Sequence, residues 1–351
     1  MGPRFNSILV SVTEACHVGC AHCGFIGSKR DREADEGELA SWVREACVYG
    51  IPTIIFTGGE AFERFELLRR GVAAATEEGV PSAVFTSSFW ATSRSAAREA
   101  LSELAGLEHL YLSSDVYHQR RVPYENVWNA IDAASDVAIP KVSIVITYAR
   151  QEDLVEVRSN YERYADRVRI CEERVIPTRY NRRAVADQDA LREAKPENFP
   201  VRCWLDTPII NPNGDIFACH VGKAGAHASL QDIPYWLGNL RTFSFVEIME
   251  MSARRADYQF LRTHGPRGVA SLYVLYPELS DEIGRSAFTG ECDMCFSALS
   301  TRSGRNALFD HVRKPEVLAE INARLALLYH ELPLAVDEVQ VGPPQAVASP
   351  V

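Results

Sequence analysis

Along the first half of the chain, short runs of apolar and β-branched residues alternate with longer stretches in which apolar residues recur every three or four positions. The short runs predict strands at Ser7–Thr13, Thr53–Thr57, Ser82–Ser87, Leu107–Ser113, Val142–Thr147 and Val168–Ile176. The longer stretches predict helices over Glu36–Tyr49, Arg64–Glu78, Arg94–Leu104, Tyr124–Ser135 and Glu152–Ala165, each with one apolar stripe. Such alternation buries a parallel sheet under a layer of helices. About six strand–helix units are present, short of the eight that close a full barrel. The expected fold is therefore α/β, a partial (β/α)6 barrel, with its chemistry beyond the carboxyl ends of the strands.

The pattern changes after Pro177. Residues 178–202 are polar and Arg-rich, with Pro196 and Pro200, and residues 203–300 mix short strands and turns with a helix near Phe243–Thr263. Residues 314–330 carry one more amphipathic stretch. The expected organisation is a barrel over 1–180, a linker over 181–202, a small α+β domain over 203–300, a helix over 301–331 and a tail over 332–351. The tail lacks helical period and is expected to be disordered or draped on the surface.

Composition narrows the function classes. The 351 residues are 46% hydrophobic, enough for one large or two moderate cores. The net charge of −10 comes with no cluster of positive charge, so nucleic acid is not an expected partner. No run approaches the ~20 apolar residues of a membrane span, and no secretory signal opens the chain. A cytoplasmic protein is expected, and its nine cysteines then point to metal or redox chemistry rather than to disulfides.

Directly after the first strand comes Cys16-His-Val-Gly-Cys20-Ala-His-Cys23, with Gly19 and Gly24 in the same loop. Three closely spaced thiolates can hold three corners of a cubane [4Fe–4S] cluster. The fourth iron is then open to chelate a ligand, as an open metal site is elsewhere. Three unrelated cysteines or a zinc site are the blander readings, although structural zinc takes four protein ligands. The second strand ends in Gly58-Gly59-Glu60 and the fourth in Ser113-Ser114-Asp115, with His118 close behind. Glycines at a strand end allow close backbone approach, and a carboxylate can accept hydrogen bonds from an ammonium group.

The spacing and placing of this loop resemble the radical S-adenosylmethionine (SAM) superfamily. The resemblance implies that Cys16, Cys20 and Cys23 hold a [4Fe–4S] cluster whose open iron binds SAM, which is cleaved reductively to a 5′-deoxyadenosyl radical. It implies that Gly58, Gly59 and Glu60 bind the SAM amino group and that Ser114 or Asp115 meets the ribose, an N-cap being the structural alternative. The family has Phe or Tyr before the third cysteine, near the adenine. This chain has His22, whose flat ring can fill that place. A flavodoxin- or ferredoxin-type electron donor is also implied. His118 and Cys171 are the candidates for contact with substrate. Their alternatives are a packing or surface histidine and a small buried hydrophobe. On the sixth strand, Cys171 and Glu173 should share one face, and Glu172 and Arg174 the other.

Four more cysteines, Cys203, Cys219, Cys292 and Cys295, occupy the second half. The segment from Ile209 to Cys219 reads as a hairpin with a Pro-Asn-Gly-Asp turn, and Cys292-x2-Cys295 as a knuckle. The set resembles the auxiliary-cluster domains of radical SAM enzymes, the short twitch form more than a full SPASM domain, and implies a second, auxiliary [4Fe–4S] cluster. A structural zinc site on four thiolates is the alternative. The cysteine loop begins too early for a leader-binding domain before the barrel, which favours a small-molecule substrate. The leading expectation is dehydrogenation or decarboxylation of a sugar-, nucleoside- or aminocyclitol-like compound in natural-product biosynthesis. The alternative is a peptide maturase that crosslinks or epimerises. Arg179, Arg182 and Arg183 are candidates to hold an anion or, more simply, solvated linker arginines.

Overall fold

The computed structural model describes residues 5–23, 33–175, 192–203, 205, 207–219, 233–334 and 339–342. Strand and helix alternate as expected: β1 (Ile8–Ser11), α1 (Glu36–Tyr49), β2 (Ile54–Thr57), α2 (Phe65–Glu77), β3 (Ser82–Thr86), α3 (Arg94–Ser102), β4 (Leu107–Ser113), α4 (Tyr124–Asp136), β5 (Lys141–Tyr148), α5 (Gln151–Ser159) and β6 (Arg169–Arg174). Local chemistry sets the ends. A capping box of Asp35 and Glu38 opens α1, and Gly50 closes it in the left-handed region, where glycine is least strained. Helix α5 stops short of Ala165 because Tyr161 turns inward and is fully buried.

The sheet order is Trp236–Asn239, Asp215–Phe217, Ile209–Ile210, then β1-β2-β3-β4-β5-β6. Strands β1 to β6 are parallel neighbours. The expected hairpin forms β8 (Ile209–Ile210) and β9 (Asp215–Phe217), followed by β10 (Trp236–Asn239). It does not stand apart from the barrel. β8 pairs in parallel with β1, Leu9 opposite Ile209, and β9 and β10 extend the same sheet antiparallel. Gly214 takes the positive φ of the turn, and Asp215 locks it by accepting from Trp236 Nε1 and Asn239 Nδ2, both at 2.9 Å.

The two sheet faces differ in chemistry. Phe56, Val84, Leu110, Leu112, Ile144 and Ile146 are fully buried and face the helices; Phe56 meets Gly71 of α2. On the other face the register aligns Phe85 with Tyr111, Tyr111 with Ser143, and Val145 with Cys171. A closed eight-stranded barrel fills this face with packed side chains. In this open sheet Phe85, Tyr111, Thr147 and Cys171 stay partly accessible.

The second half departs from expectation in its helices. The helix expected near Phe243–Thr263 is two, α6 (Phe245–Ala253) and α7 (Ala256–Leu275). Between them Arg255 is extended and fully buried, its guanidinium donating to the carbonyls of Trp236 (2.7 Å) and Pro234 (2.9 Å) and to Asp257. Gln340 of the tail exchanges backbone hydrogen bonds with Arg254 and Ala256 at the same break. Further on come β7 (Arg192–Glu193), α8 (Pro277–Ile283), β11 (Ala287–Phe288), α9 (Glu291–Leu299), α10 (Arg302–Val312) and α11 (Pro315–Arg324). β7 pairs with β11 and Phe199 is buried, so the described part of the expected linker is packed structure. Arg179, Arg182 and Arg183 lie outside the described residues. Among the described residues no helix is long and apolar enough to cross a membrane.

Candidate functional site

The cysteine loop leaves the carboxyl end of β1 and folds across the ends of β4, β5 and β6. Val18 and Cys20 are buried with Tyr117, Val122, Ala149 and Val175, and Cys16 and Cys23 pack against this group. Gly19 has φ +60. Its N–H and that of Val18 approach the Cys16 sulfur, an effect that favours a thiolate, though burial outweighs it and pushes the Cys16 thiol up. His17 is tied down by Glu63, which accepts from the His17 N–H at 2.6 Å. Soft sulfur donors, backbone N–H groups near one of them and a partly buried setting fit an iron–sulfur cluster on Cys16, Cys20 and Cys23.

Gly58 and Gly59 serve the loop directly. The Gly59 N–H donates to Thr13 O at 2.7 Å and the Glu60 N–H to Ala15 O at 2.8 Å. A Cβ on either glycine would strike that backbone, 2.4 Å from Thr13 O at position 58 and 2.2 Å from Ala15 O at position 59. Glu60 is 2% exposed. Its carboxylate accepts from Phe62 N (3.1 Å), Thr86 Oγ1 (2.9 Å), Ser87 N (2.8 Å) and Ser87 Oγ (2.5 Å).

At the end of β4 the structure uses Ser114 and Asp115 internally. Ser114 is fully buried, bonded to the Tyr161 hydroxyl and accepting from Gln119 Nε2 at 2.8 Å. Asp115 caps the following turn as the structural alternative foresaw: Oδ1 accepts from the N–H groups of Tyr117 (2.9 Å) and His118 (3.0 Å). Oδ2 faces His118 Nδ1 at 2.8 Å. Burial alone would lower the imidazole of His118, but the Asp115 carboxylate beside it raises it to about 10. The same pairing holds Asp115 below the usual carboxylate range despite burial. His22 stacks near Tyr117 and His118, at 4.6 and 5.2 Å between ring centres, and burial lowers it to about 4. Cys20 Sγ and a ring nitrogen of each histidine lie within 4.8 Å of one another.

On the open face, Tyr111 stacks on Phe85 at 4.4 Å and on His109 at 3.9 Å. Burial raises its phenol, as do the neighbouring Cys171 thiol and Glu173 carboxylate. Glu172 points the other way and accepts from Arg158 Nη1 of α5 at 2.7 Å, so the alternation expected along β6 is present. Cys171 is partly accessible.

The second cysteine set gathers at the opposite end of the sheet. Because β8 is parallel to β1 and β9 returns antiparallel, Cys219 beyond Phe217 lies towards the amino end of β1. Cys292 and Cys295 lie in the first turns of α9. Burial pushes both thiols up, and each is raised further by Cys203 and Cys219. None of the nine cysteines, all of them described, is disulfide-bonded. Four cysteine thiols are a donor set for iron–sulfur or zinc.

Residues 10–164 match the sequence profile of the Radical SAM superfamily. They form a radical SAM domain. The "Probable GTP 3',8-cyclase" of Methanocella arvoryzae is 28% identical over 173 residues, 46% of this chain and 54% of that protein. The chain thus spans about half the length of this curated relative. Among solved structures, Streptococcus suis SuiB bound to precursor peptide SuiA superposes with a TM-score of 0.51 at 14% identity, over 70% of this chain and 65% of that one. Native anSMEcpe with bound AdoMet and Cp18Cys peptide covers 90% of this chain and 99% of its own at a TM-score of 0.47 and 13% identity. The likeness to SuiB is one of fold and agrees with the partial α/β barrel read from the strand–helix alternation.

Beyond the radical SAM domain, one residue that spacing did not single out holds the knuckle. Asp293, between Cys292 and Cys295, is 4% exposed. It accepts from Arg285 Nη1 (2.9 Å) and Nη2 (2.7 Å), Thr289 N (3.1 Å) and Oγ1 (3.0 Å), and Ser297 Oγ (3.2 Å). Burial would raise its carboxyl, but the bidentate Arg285 and the Thr289 donors lower it well below the model-peptide value. Asp293→Asn is expected to destabilise the cluster-free chain by about 2 kcal/mol, discounted for the partial exposure of Arg285. A depressed carboxyl stabilises the fold above its unfolded value, near pH ~3.9, and loses that effect as pH falls through the folded value. The wild-type advantage in urea unfolding should therefore be equal at pH ~7 and ~5 and shrink below pH ~4. An advantage independent of pH down to acid unfolding would refute this role.

Proposed function

We propose that this chain, an enzyme through its radical SAM domain, abstracts a hydrogen atom from a small sugar-, nucleoside- or aminocyclitol-like molecule on the open sheet face. The observation behind this reading is the arrangement of the face itself. It is capped at the carboxyl end by the cysteine loop, and Tyr111 and Cys171 are partly accessible on it. The relative named a probable GTP 3',8-cyclase supports a nucleotide-sized substrate. The peptide-modifying alternative has SuiB behind it, at a likeness of fold only.

Cys16, Cys20 and Cys23 would hold a [4Fe–4S] cluster, which with SAM bound would supply the electron for reductive cleavage to a 5′-deoxyadenosyl radical. The chain's own residues set the geometry. Gly58 and Gly59 let the backbone of residues 13–15 approach, and Glu60 clamps the ends of β2 and β3 together. In this proposal the ribose role of Ser114 and Asp115 is indirect: they hold the loop that carries His118 beside Cys20. His22 lines the SAM side and Cys171 the substrate side. Cys203, Cys219, Cys292 and Cys295 hold an auxiliary [4Fe–4S] cluster, and a flavodoxin- or ferredoxin-type protein delivers the electrons.

The test is iron and sulfide per chain after anaerobic reconstitution, in the wild type and in the Cys16/Cys20/Cys23 triple-Ala variant. About eight irons should fall to about four on four-iron clusters, and 5′-deoxyadenosine formation should vanish. Unchanged SAM cleavage in the triple variant would refute the assignment of the loop. About four irons falling to none would leave one cluster and make the second set a zinc site. Transfer of deuterium into 5′-deoxyadenosine from a deuterated nucleoside or amino sugar, and none from precursor peptides, separates the two substrate readings.

A further inference from the structure

Tyr235 stands immediately before β10, and the sheet sets it beside the second cysteine group. The N–H of Ala218, the residue before Cys219, donates to the Tyr235 carbonyl at 2.7 Å. The side chain is 4% exposed. Among the described residues its hydroxyl has no acceptor in good hydrogen-bond geometry, and the Cys295 sulfur lies within its reach. The thiols of Cys295, Cys219 and Cys203 are its ionisable neighbours. Protein interiors rarely leave a buried hydroxyl without a partner, and a phenylalanine would fill the same space without a buried donor. The O–H stands beside Cys295, which becomes a strong acceptor once a metal centre is present, because ligation turns thiols into thiolates. A phenol at neutral pH is a donor to such an acceptor.

We propose that Tyr235 is a positioning residue of the four-thiol centre: its O–H donates to a sulfur of the cluster held there, that of Cys295 foremost, and raises the cluster's reduction potential. The inference rests on the reading that these four thiols hold an iron–sulfur cluster. Hydrogen bonds to cluster sulfurs favour the more negative, reduced form and are among the terms that set its potential. Burial strengthens the effect, since a low local dielectric magnifies a charge-assisted bond.

The experiment uses the full chain with Cys16, Cys20 and Cys23 replaced by Ala, reconstituted with iron and sulfide, so that only the four-thiol centre carries iron. About four irons per chain uphold the underlying reading; none overturns that reading, and the proposal with it, before Tyr235 is altered. Tyr235→Phe is then expected to keep its iron and to lower the midpoint potential by about 59 mV, a tenfold change in a one-electron equilibrium. A fluorotyrosine placed at position 235, a stronger donor of similar shape, is expected to move the midpoint upwards. Equal midpoints in all three proteins would overturn the proposal. Should the Phe variant lose its iron, the fluorotyrosine protein decides: an upward shift supports the hydrogen bond, and no shift refutes it.

Discussion

Gly59→Ala is expected to strip the radical SAM cluster from the protein while leaving every cysteine in place. The alanine Cβ would lie 2.2 Å from Ala15 O, 2.6 Å from Ala15 C and 2.7 Å from Glu14 O, where real Cβ atoms stay beyond about 3.0 Å. All three are backbone atoms, so no side-chain rotation relieves the overlap. The strand end must move, which breaks the bonds from Gly59 N to Thr13 O and from Glu60 N to Ala15 O. Cys16 is the next residue along, and its sulfur is one of the proposed cluster's only three protein ligands. Misplacing a catalytic group by about 1 Å can cost about 100-fold in rate. If the proposed auxiliary cluster is present, iron should fall from about eight to about four per chain, and 5′-deoxyadenosine formation should drop by at least ~100-fold. Full iron content with a wild-type rate would show that the glycines are needed for something other than approach to the loop.

Glu60→Gln should be nearly as damaging, by a different route. Oε1 accepts from Phe62 N and Thr86 Oγ1, and Oε2 from Ser87 N and Oγ. Whichever oxygen becomes an amide, its N–H groups face a backbone N–H that cannot turn away. A buried donor is left unpaired and a charge-assisted bond is lost, together about 2–3 kcal/mol. Ser87→Ala removes a single donor and should cost about 1 kcal/mol. Urea unfolding of the cluster-free chains measures both. In the loaded enzyme, Glu60→Gln should also weaken SAM binding strongly, because the same carboxylate sets the positions of both strand ends around the site. Equal stability for the Gln variant and the wild type would mean that Glu60 is held by the fold rather than holding it.

Much of this molecule is legible without coordinates, for a physical reason. The period of an apolar stripe, a capping box such as Asp35 with Glu38, and the Asn-Gly turn at 213–214 are local, so they specify β1 to β6, the helices between them and the hairpin within a few residues. The Cys16–Cys20–Cys23 loop is local too, and the resemblance it carries agrees with the profile match over residues 10–164. Local pattern failed where distant chain intervened. The helix expected near Phe243–Thr263 breaks at Arg255, whose buried guanidinium must reach the carbonyls of Pro234 and Trp236. For Ser114 and Asp115 the motif does not show the internal partners, Tyr161 and His118, that engage both side chains.

Non-local hydrogen bonding decided the rest. Nothing in the spacing of Cys203, Cys219, Cys292 and Cys295 says where they meet. The parallel pairing of β8 with β1 brings Cys219 to the amino end of the sheet, away from the first cysteine loop. Asp293 and Tyr235 acquire their roles only there, one by gripping Arg285 and Thr289, the other by standing with its hydroxyl among thiols. Motif and period are short-range properties of a chain. Burial, charge pairing and the partner of a buried hydroxyl depend on residues that only folding makes neighbours.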